Sequence, residues 1–303
     1  MTNSPDFRSL DNIALAEYYK PEFLTSGAYS PKDALAFAAV CQLSYAKDLS
    51  QPAIQKELLP KWGWKRLITF DKRLGHTIDT QGLVAEHDQH IVIAFRGSES
   101  LPDWLTNASV AKVPSPFGVG EVHQGFQNAL FPALTKILTA IRMIDPRFEK
   151  DIWVTGHSLG GALAVMFVAM LAEEDIDVRG LYTFGAPRVG DEDFAKIFNQ
   201  KFIDIQPNTT NQDKPGISYR MVNQGDLVPH LPPELSGFYH TNNRILFTDS
   251  GDRTDSSTTW ENFKSLIGSW LEHVGKPDLA IKDYHLLSSP NGYLHKLFKD
   301  LSV

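Results

Sequence analysis

One serine in this chain stands where a serine can be made to attack a carbonyl. Residues 151–164 read Asp-Ile-Trp-Val-Thr-Gly-His-Ser-Leu-Gly-Gly-Ala-Leu-Ala: an apolar run, then G-x-S-x-G at Gly156–Gly160, then a helix-forming run of small and apolar residues. A serine hydroxyl is a weak nucleophile unless its oxygen is exposed and a base takes its proton. A sharp strand-to-helix turn supplies the exposure, because it holds the serine in a strained backbone conformation. Glycines two residues before and after let strand and helix approach closely. The new helix also directs unpaired N–H groups toward the serine, so negative charge developing there meets donors. Ser158 is therefore the expected nucleophile. His157 is its neighbour, but in so tight a turn it points elsewhere, and it is expected to be structural.

A serine of this kind needs a base and an acid that orients the base. In strand–turn–helix hydrolases they follow in the order serine, acid, histidine. The acid belongs just past the carboxyl end of a later strand, where open α/β sheets place their sites. Asp226 fits, after the strand-like run Ile217–Val222 and the turn Asn223-Gln-Gly. Asp249, after Arg244–Phe247, and Asp191, after Gly180–Phe184, are rivals that position alone leaves open. Five histidines come later still: His230, His240, His273, His285 and His295. His230 is too close to Asp226 in sequence to arrive from a separate loop, and His273 and His295 fall within helical runs. His285 lies in a connecting segment ahead of the last helix and leads.

These residues need a scaffold, and the chain spells out an alternating one. A helix is expected from Ser30 to Ala46, with Ser30 as cap and Pro31 at its first position. Strands are expected at Gly82–Glu86, His90–Phe95, Ile152–Thr155, Gly180–Phe184, Ile217–Val222 and Arg244–Phe247. The first two read as a hairpin across His87-Asp88-Gln89. Helices are expected at Gly125–Ile144, Leu159–Glu173, Asp191–Phe202 and Thr259–Val274, the last with a broad apolar face. Gln206–Gly216 and Asp249–Thr258 read as loops. The alternation predicts a mostly parallel sheet covered by helices, an α/β fold, here taken as one domain over residues 1–303.

Composition narrows the class. Net charge is −7, from 29 basic and 36 acidic side chains, so no basic excess is available for a nucleic-acid partner. The single cysteine, Cys41, forbids an internal disulfide. No secretory signal peptide is read at the start. The longest apolar stretch, Gly161–Ala172, is about half the roughly 20 residues that span a bilayer. A soluble protein is expected, cytoplasmic or exported by a route that needs no such signal. The acidic stretch Asp249–Ser257 lacks the spacing and final glutamate of a calcium loop, and no metal or cofactor is expected.

Four blocks resemble the class 3 lipases, typified by filamentous-fungal triacylglycerol lipases, over about residues 30 to 295. They are Ile91-Val-Ile-Ala-Phe-Arg-Gly-Ser-Glu-Ser-Leu-Pro-Asp-Trp-Leu-Thr-Asn; Val122-His-Gln-Gly-Phe; Gly156-His-Ser-Leu-Gly-Gly-Ala-Leu-Ala with Thr183-Phe-Gly-Ala-Pro-Arg-Val-Gly-Asp; and Tyr219-Arg-Met-Val-Asn-Gln-Gly-Asp-Leu-Val-Pro-His-Leu-Pro-Pro. The resemblance implies an α/β-hydrolase fold and a triad of Ser158, Asp226 and His285. It implies an oxyanion hole from Ser98 and the N–H of Leu159, and structural roles for Asp191 and His123. It also implies a short helical lid over about residues 99–108, with Leu101, Trp104 and Leu105 on its apolar face. Unlike the secreted fungal enzymes this chain has no disulfide, and the stretch between Asp249 and Asp283 is long.

The activity so implied is triacylglycerol hydrolysis through an acyl-enzyme, with a lipid or ester substrate met at an oil–water or membrane surface. Phospholipase A1, a soluble carboxylesterase of feruloyl type, and a non-catalytic binding protein on the same scaffold are the competing readings. The sequence leaves oligomeric state open.

Overall fold

The computed structural model describes residues 6–21, 29–74, 78–98, 110–201, 216–241, 243–248, 250–254 and 283–301. Helix α1 (Pro31–Leu43) starts as its sequence dictates: the Ser30 hydroxyl accepts from the Asp33 amide at 3.1 Å, and Pro31 occupies the first turn, where no amide hydrogen is needed. Helix α2 (Pro52–Trp62) ends on Gly63, whose φ of 67° is the left-handed cap that glycine adopts freely.

The strands are β1 (Arg66–Leu74), β2 (Ile78–Glu86), β3 (His90–Phe95), β4 (Lys112–Pro114), β5 (Glu121–His123), β6 (Asp151–His157), β7 (Gly180–Phe184), β8 (Ile217–Asn223), β9 (Asn243–Phe247) and β10 (Arg253–Thr254). Among the described residues, eight make one sheet in the order β1-β2-β3-β6-β7-β8-β9-β10, while β4 and β5 pair separately. From β3 to β9 all pairings are parallel; β1, β2 and β10 add antiparallel margins. The remaining helices are α3 (Gln124–Ile144), α4 (Leu159–Glu173), α5 (Glu192–Asn199) and α6 (Tyr293–Asp300).

Alternate residues of the strands feed two cores, as the period of two requires. In β3, Val92 and Ala94 join α1 and α6 on one face; Ile91, Ile93 and Phe95 join α3 and α4 on the other. On the α1 face, Phe37 stacks on Trp153 and Tyr182, with ring centroids 5.4 and 5.0 Å apart. Helix α4 is buried continuously from Gly160 to Ala169, which accounts for its lack of a polar stripe. Among the described residues no helix is long and apolar enough to cross a membrane.

Within the described residues the expected helices and strands appear with shifts at their ends, and β2 and β3 form the hairpin. The structure adds α2, β1 and the short pair β4–β5. It also corrects the Asp249–Thr258 loop: Arg253 and Thr254 pair with Phe247 and Leu246. The lid segment, the Thr259–Val274 helix and most of the Gln206–Gly216 loop lie outside the described residues.

Candidate active site

The carboxyl ends of β3, β6, β7 and β8 converge on Ser158. It has φ 57° and ψ −130°, a left-handed conformation that costs a non-glycine residue about 1–3 kcal/mol. The strain is locked in by packing. A Cβ on Gly156 would lie 2.2 Å from the Gly160 carbonyl oxygen, and one on Gly160 would lie 2.2 Å from that of Phe95. The Ser158 amide donates to the Phe184 carbonyl at 2.9 Å, tying the turn to β7. Leu159 opens α4, so its N–H has no intrahelical acceptor.

Ser98 follows β3 across the register pair Phe95–Gly156. Its neighbour Gly97 lies so close to the turn that an added Cβ would come within 2.9 Å of Ser158 Cβ. The residues before the lid segment therefore press directly on the serine, whereas Leu101, Trp104 and Leu105 lie outside the described residues.

Asp226 and His285 meet although 59 residues separate them: His285 Nδ1 is 2.8 Å from Asp226 Oδ2. The Tyr293 hydroxyl donates to the same oxygen at 2.7 Å, and the Val228 amide donates to Oδ1 at 2.9 Å. Both partners rest on Gly185, at φ 59°, where a Cβ would stand 2.7 Å from Asp226 Oδ2 and 3.0 Å from His285 Nδ1. Ser158 and His285 are each 1% exposed. Among the described residues neither Ser158 Oγ nor His285 Nε2 has a hydrogen-bond partner, so an acidic hydrogen and a basic lone pair are both left uncommitted.

A second polar group steadies this corner. The buried Lys296 ammonium donates to Asn223 Oδ1 and, at 2.7 Å, to the Thr248 carbonyl. The Asn223 amide in turn donates to the carbonyls of Tyr284 (2.8 Å) and Asn291 (2.6 Å), on either side of His285. Sequence reasoning missed Asn223, Tyr293 and Lys296. Their partners lie 48 to 73 residues away, so no local spacing marks them.

The rival candidates go elsewhere. Asp191 caps α5 by accepting from the Phe194 amide at 2.8 Å. His240 Nε2 donates to the Pro229 carbonyl at 2.6 Å, and His295 packs edge-on against Phe7. His230 sits in the turn after Asp226, and burial pushes its ring down to about 4. His123 stacks on Phe126. Asp249 and His273 lie outside the described residues. His157 is not merely turned aside: its ring contacts both Tyr45 and the His285 backbone.

Residues 92–236 match the family profile of class 3 lipases. The Rhizomucor miehei lipase is 31% identical over 230 residues, covering 70% of this chain and 60% of that protein. The secreted mono- and diacylglycerol lipase 1 of Fusarium solani is 34% identical over 157 residues, 50% of this chain and 42% of its own length. The chain thus spans less than two thirds of either curated relative. A solved triacylglycerol lipase, described as having a serine protease triad as its catalytic centre, superposes with a TM-score of 0.58 at 27% identity, covering 77% of this chain and 89% of the other. The fold is that of the α/β-hydrolases, and over residues 92–236 the chain matches the class 3 lipase family.

Proposed function

We propose that this chain hydrolyses acylglycerol esters, with Ser158, His285 and Asp226 as its triad. His285 Nε2 takes the Ser158 proton as Oγ attacks the ester carbonyl, and Asp226 holds the other ring nitrogen and stabilises the imidazolium. The Leu159 N–H and Ser98 receive the oxyanion. Imidazolium then protonates the departing alcohol, and water, deprotonated by the same ring, releases the acid. One observation carries this reading: a buried Asp226–His285 pair at 2.8 Å beside a strained serine, with Oγ and Nε2 both unengaged.

An ester reaches a serine that is 1% exposed only if covering residues move. The resemblance of the block at residues 91–107 to the lid-bearing block of class 3 lipases supports reading residues 99–108 as a lid that opens at a lipid surface. Relatives called lipase and mono- and diacylglycerol lipase support the choice of acylglycerols.

The test is hydrolysis of p-nitrophenyl esters of increasing chain length, triolein emulsion and phosphatidylcholine, run beside Ser158→Ala. Triolein turnover is expected to climb once droplets form. Ser158→Ala is expected to lower kcat by about 10⁵–10⁶ while the thermal midpoint holds. Activity that survives Ser158→Ala overturns the triad. Faster turnover of phosphatidylcholine than of triolein replaces the acylglycerol reading with a phospholipase.

A further inference from the structure

A chain of three hydrogen bonds touches three segments of the proposed machinery: the oxyanion strand end, the nucleophile turn and the base. The Gly97 amide donates to the Tyr45 hydroxyl oxygen at 3.1 Å. That hydroxyl lies 2.7 Å from His157 Nδ1. On the far side of the ring, His157 Nε2 lies 2.8 Å from the His285 carbonyl oxygen. These contacts join residues 52, 112 and 128 apart in sequence, so only the tertiary fold assembles them.

The direction of each bond follows from donor chemistry. A carbonyl only accepts, so Nε2 carries a proton. Burial, then the neighbouring His285, hold the His157 ring well below the usual histidine range. The ring is therefore neutral and Nδ1 is a lone pair. Tyr45 must donate to that lone pair, which leaves its oxygen to accept from Gly97. No link can be reversed without setting two acceptors or two donors face to face.

The three anchors are significant. Gly97 precedes Ser98, His157 precedes Ser158, and the last acceptor is the backbone of His285 itself. We propose that Tyr45 and His157 are positioning residues whose hydrogen-bond chain of fixed polarity holds the oxyanion segment, the nucleophile turn and the base in mutual register. This rests on the triad reading above. The His157 ring also faces the His285 ring, with centroids 4.7 Å apart and planes at 35°. When His285 gains the serine proton, it meets a neutral neighbour rather than a second cation.

A residue that only filled space would change stability and leave the chemical step alone. The relay acts on geometry, and misplacement of about 1 Å is worth up to roughly 10² in rate. With a soluble p-nitrophenyl ester, Tyr45→Phe is expected to lower kcat at least about tenfold while KM stays within about twofold. His157→Gln keeps a donor for the His285 carbonyl but loses the ring acceptor, and a similar loss is expected. The double variant is expected to be no slower than the worse single one, since either change opens the same chain.

Histidine nitrogen NMR on the wild-type protein adds a readout that needs no variant to fold. His157 is expected as the neutral Nε2–H tautomer between about pH 5 and 8. A kcat within about twofold of wild type for Tyr45→Phe, losses that multiply in the double variant, or a protonated Nδ1 on His157 overturns the relay. Those outcomes leave the triad standing if Ser158→Ala is inactive; hydrolysis that survives Ser158→Ala removes the triad whatever the tautomer.

Discussion

At the Ser158 turn, backbone is pressed against backbone: two glycines admit carbonyls to within what a Cβ would occupy, and the flanking His157 is buried and neutral. Local spacing specifies none of the corner opposite, where Asp226 meets His285 across 59 residues. There a buried carboxylate accepts from a ring, a phenol and an amide, and a buried ammonium spans Asn223 and Thr248. The turn excludes charge and stores strain; the corner is organised by charge-assisted hydrogen bonds, the stronger class in a dry interior. A nucleophile can be set by sterics within five residues. An acid–base pair has to be gathered from separate strands and held by polar groups.

The largest break in that contrast is expected from Asp226→Asn. The new amide donates where the carboxylate accepted, which turns His285 to the tautomer with a protonated Nε2 and no site for the serine proton. A fall in kcat of about 10⁴ is expected with little change in thermal midpoint; a loss below about tenfold would mean that the corner does not act through charge.

Lys296→Met comes next. It leaves Asn223 Oδ1 and the Thr248 carbonyl without their buried donor, at a cost of about 1–3 kcal/mol in unfolding free energy. Urea denaturation is the measurement, and an unchanged midpoint would show that apolar packing alone carries the corner.

The smallest effect concerns the turn and pH. Folded His157 sits well below its ordinary value because it is buried, while the unfolded chain titrates near 6.5. Between those values the unfolded state binds the extra proton, so unfolding free energy rises with pH and stability is lost as pH falls below about 6.5. Replacing this histidine in His157→Gln should flatten the slope by up to about 1.4 kcal/mol per pH unit. Parallel slopes for the two proteins would place a proton on the folded ring.

Legibility in the sequence followed range. Ser158 was readable because strand, glycine, serine and helix sit side by side. Asp226 stood among three carboxylates and His285 among five imidazoles until family blocks chose between them; in the fold, the same two residues share a hydrogen bond and Asp191 becomes a helix cap. Strand β1 escaped notice because its run Arg-Leu-Ile-Thr-Phe-Asp-Lys-Arg-Leu lies at the edge of the sheet, where charged side chains are tolerated and the apolar alternation is broken. Tyr45 offered no signal: its hydroxyl matters only because the end of α1 arrives beside β6.

By itself the sequence determined the nucleophile turn, the alternating elements and the parallel sheet, since each is a matter of neighbours and periods of two or 3.6 residues. Tertiary structure decided how Asp226 and His285, chosen by the family blocks, come to share a hydrogen bond, what Lys296, Tyr293 and Asn223 hold, and which tautomer His157 adopts. Hydrogen bonds act over about 3 Å, and only folding brings groups 50 to 130 positions apart within that reach.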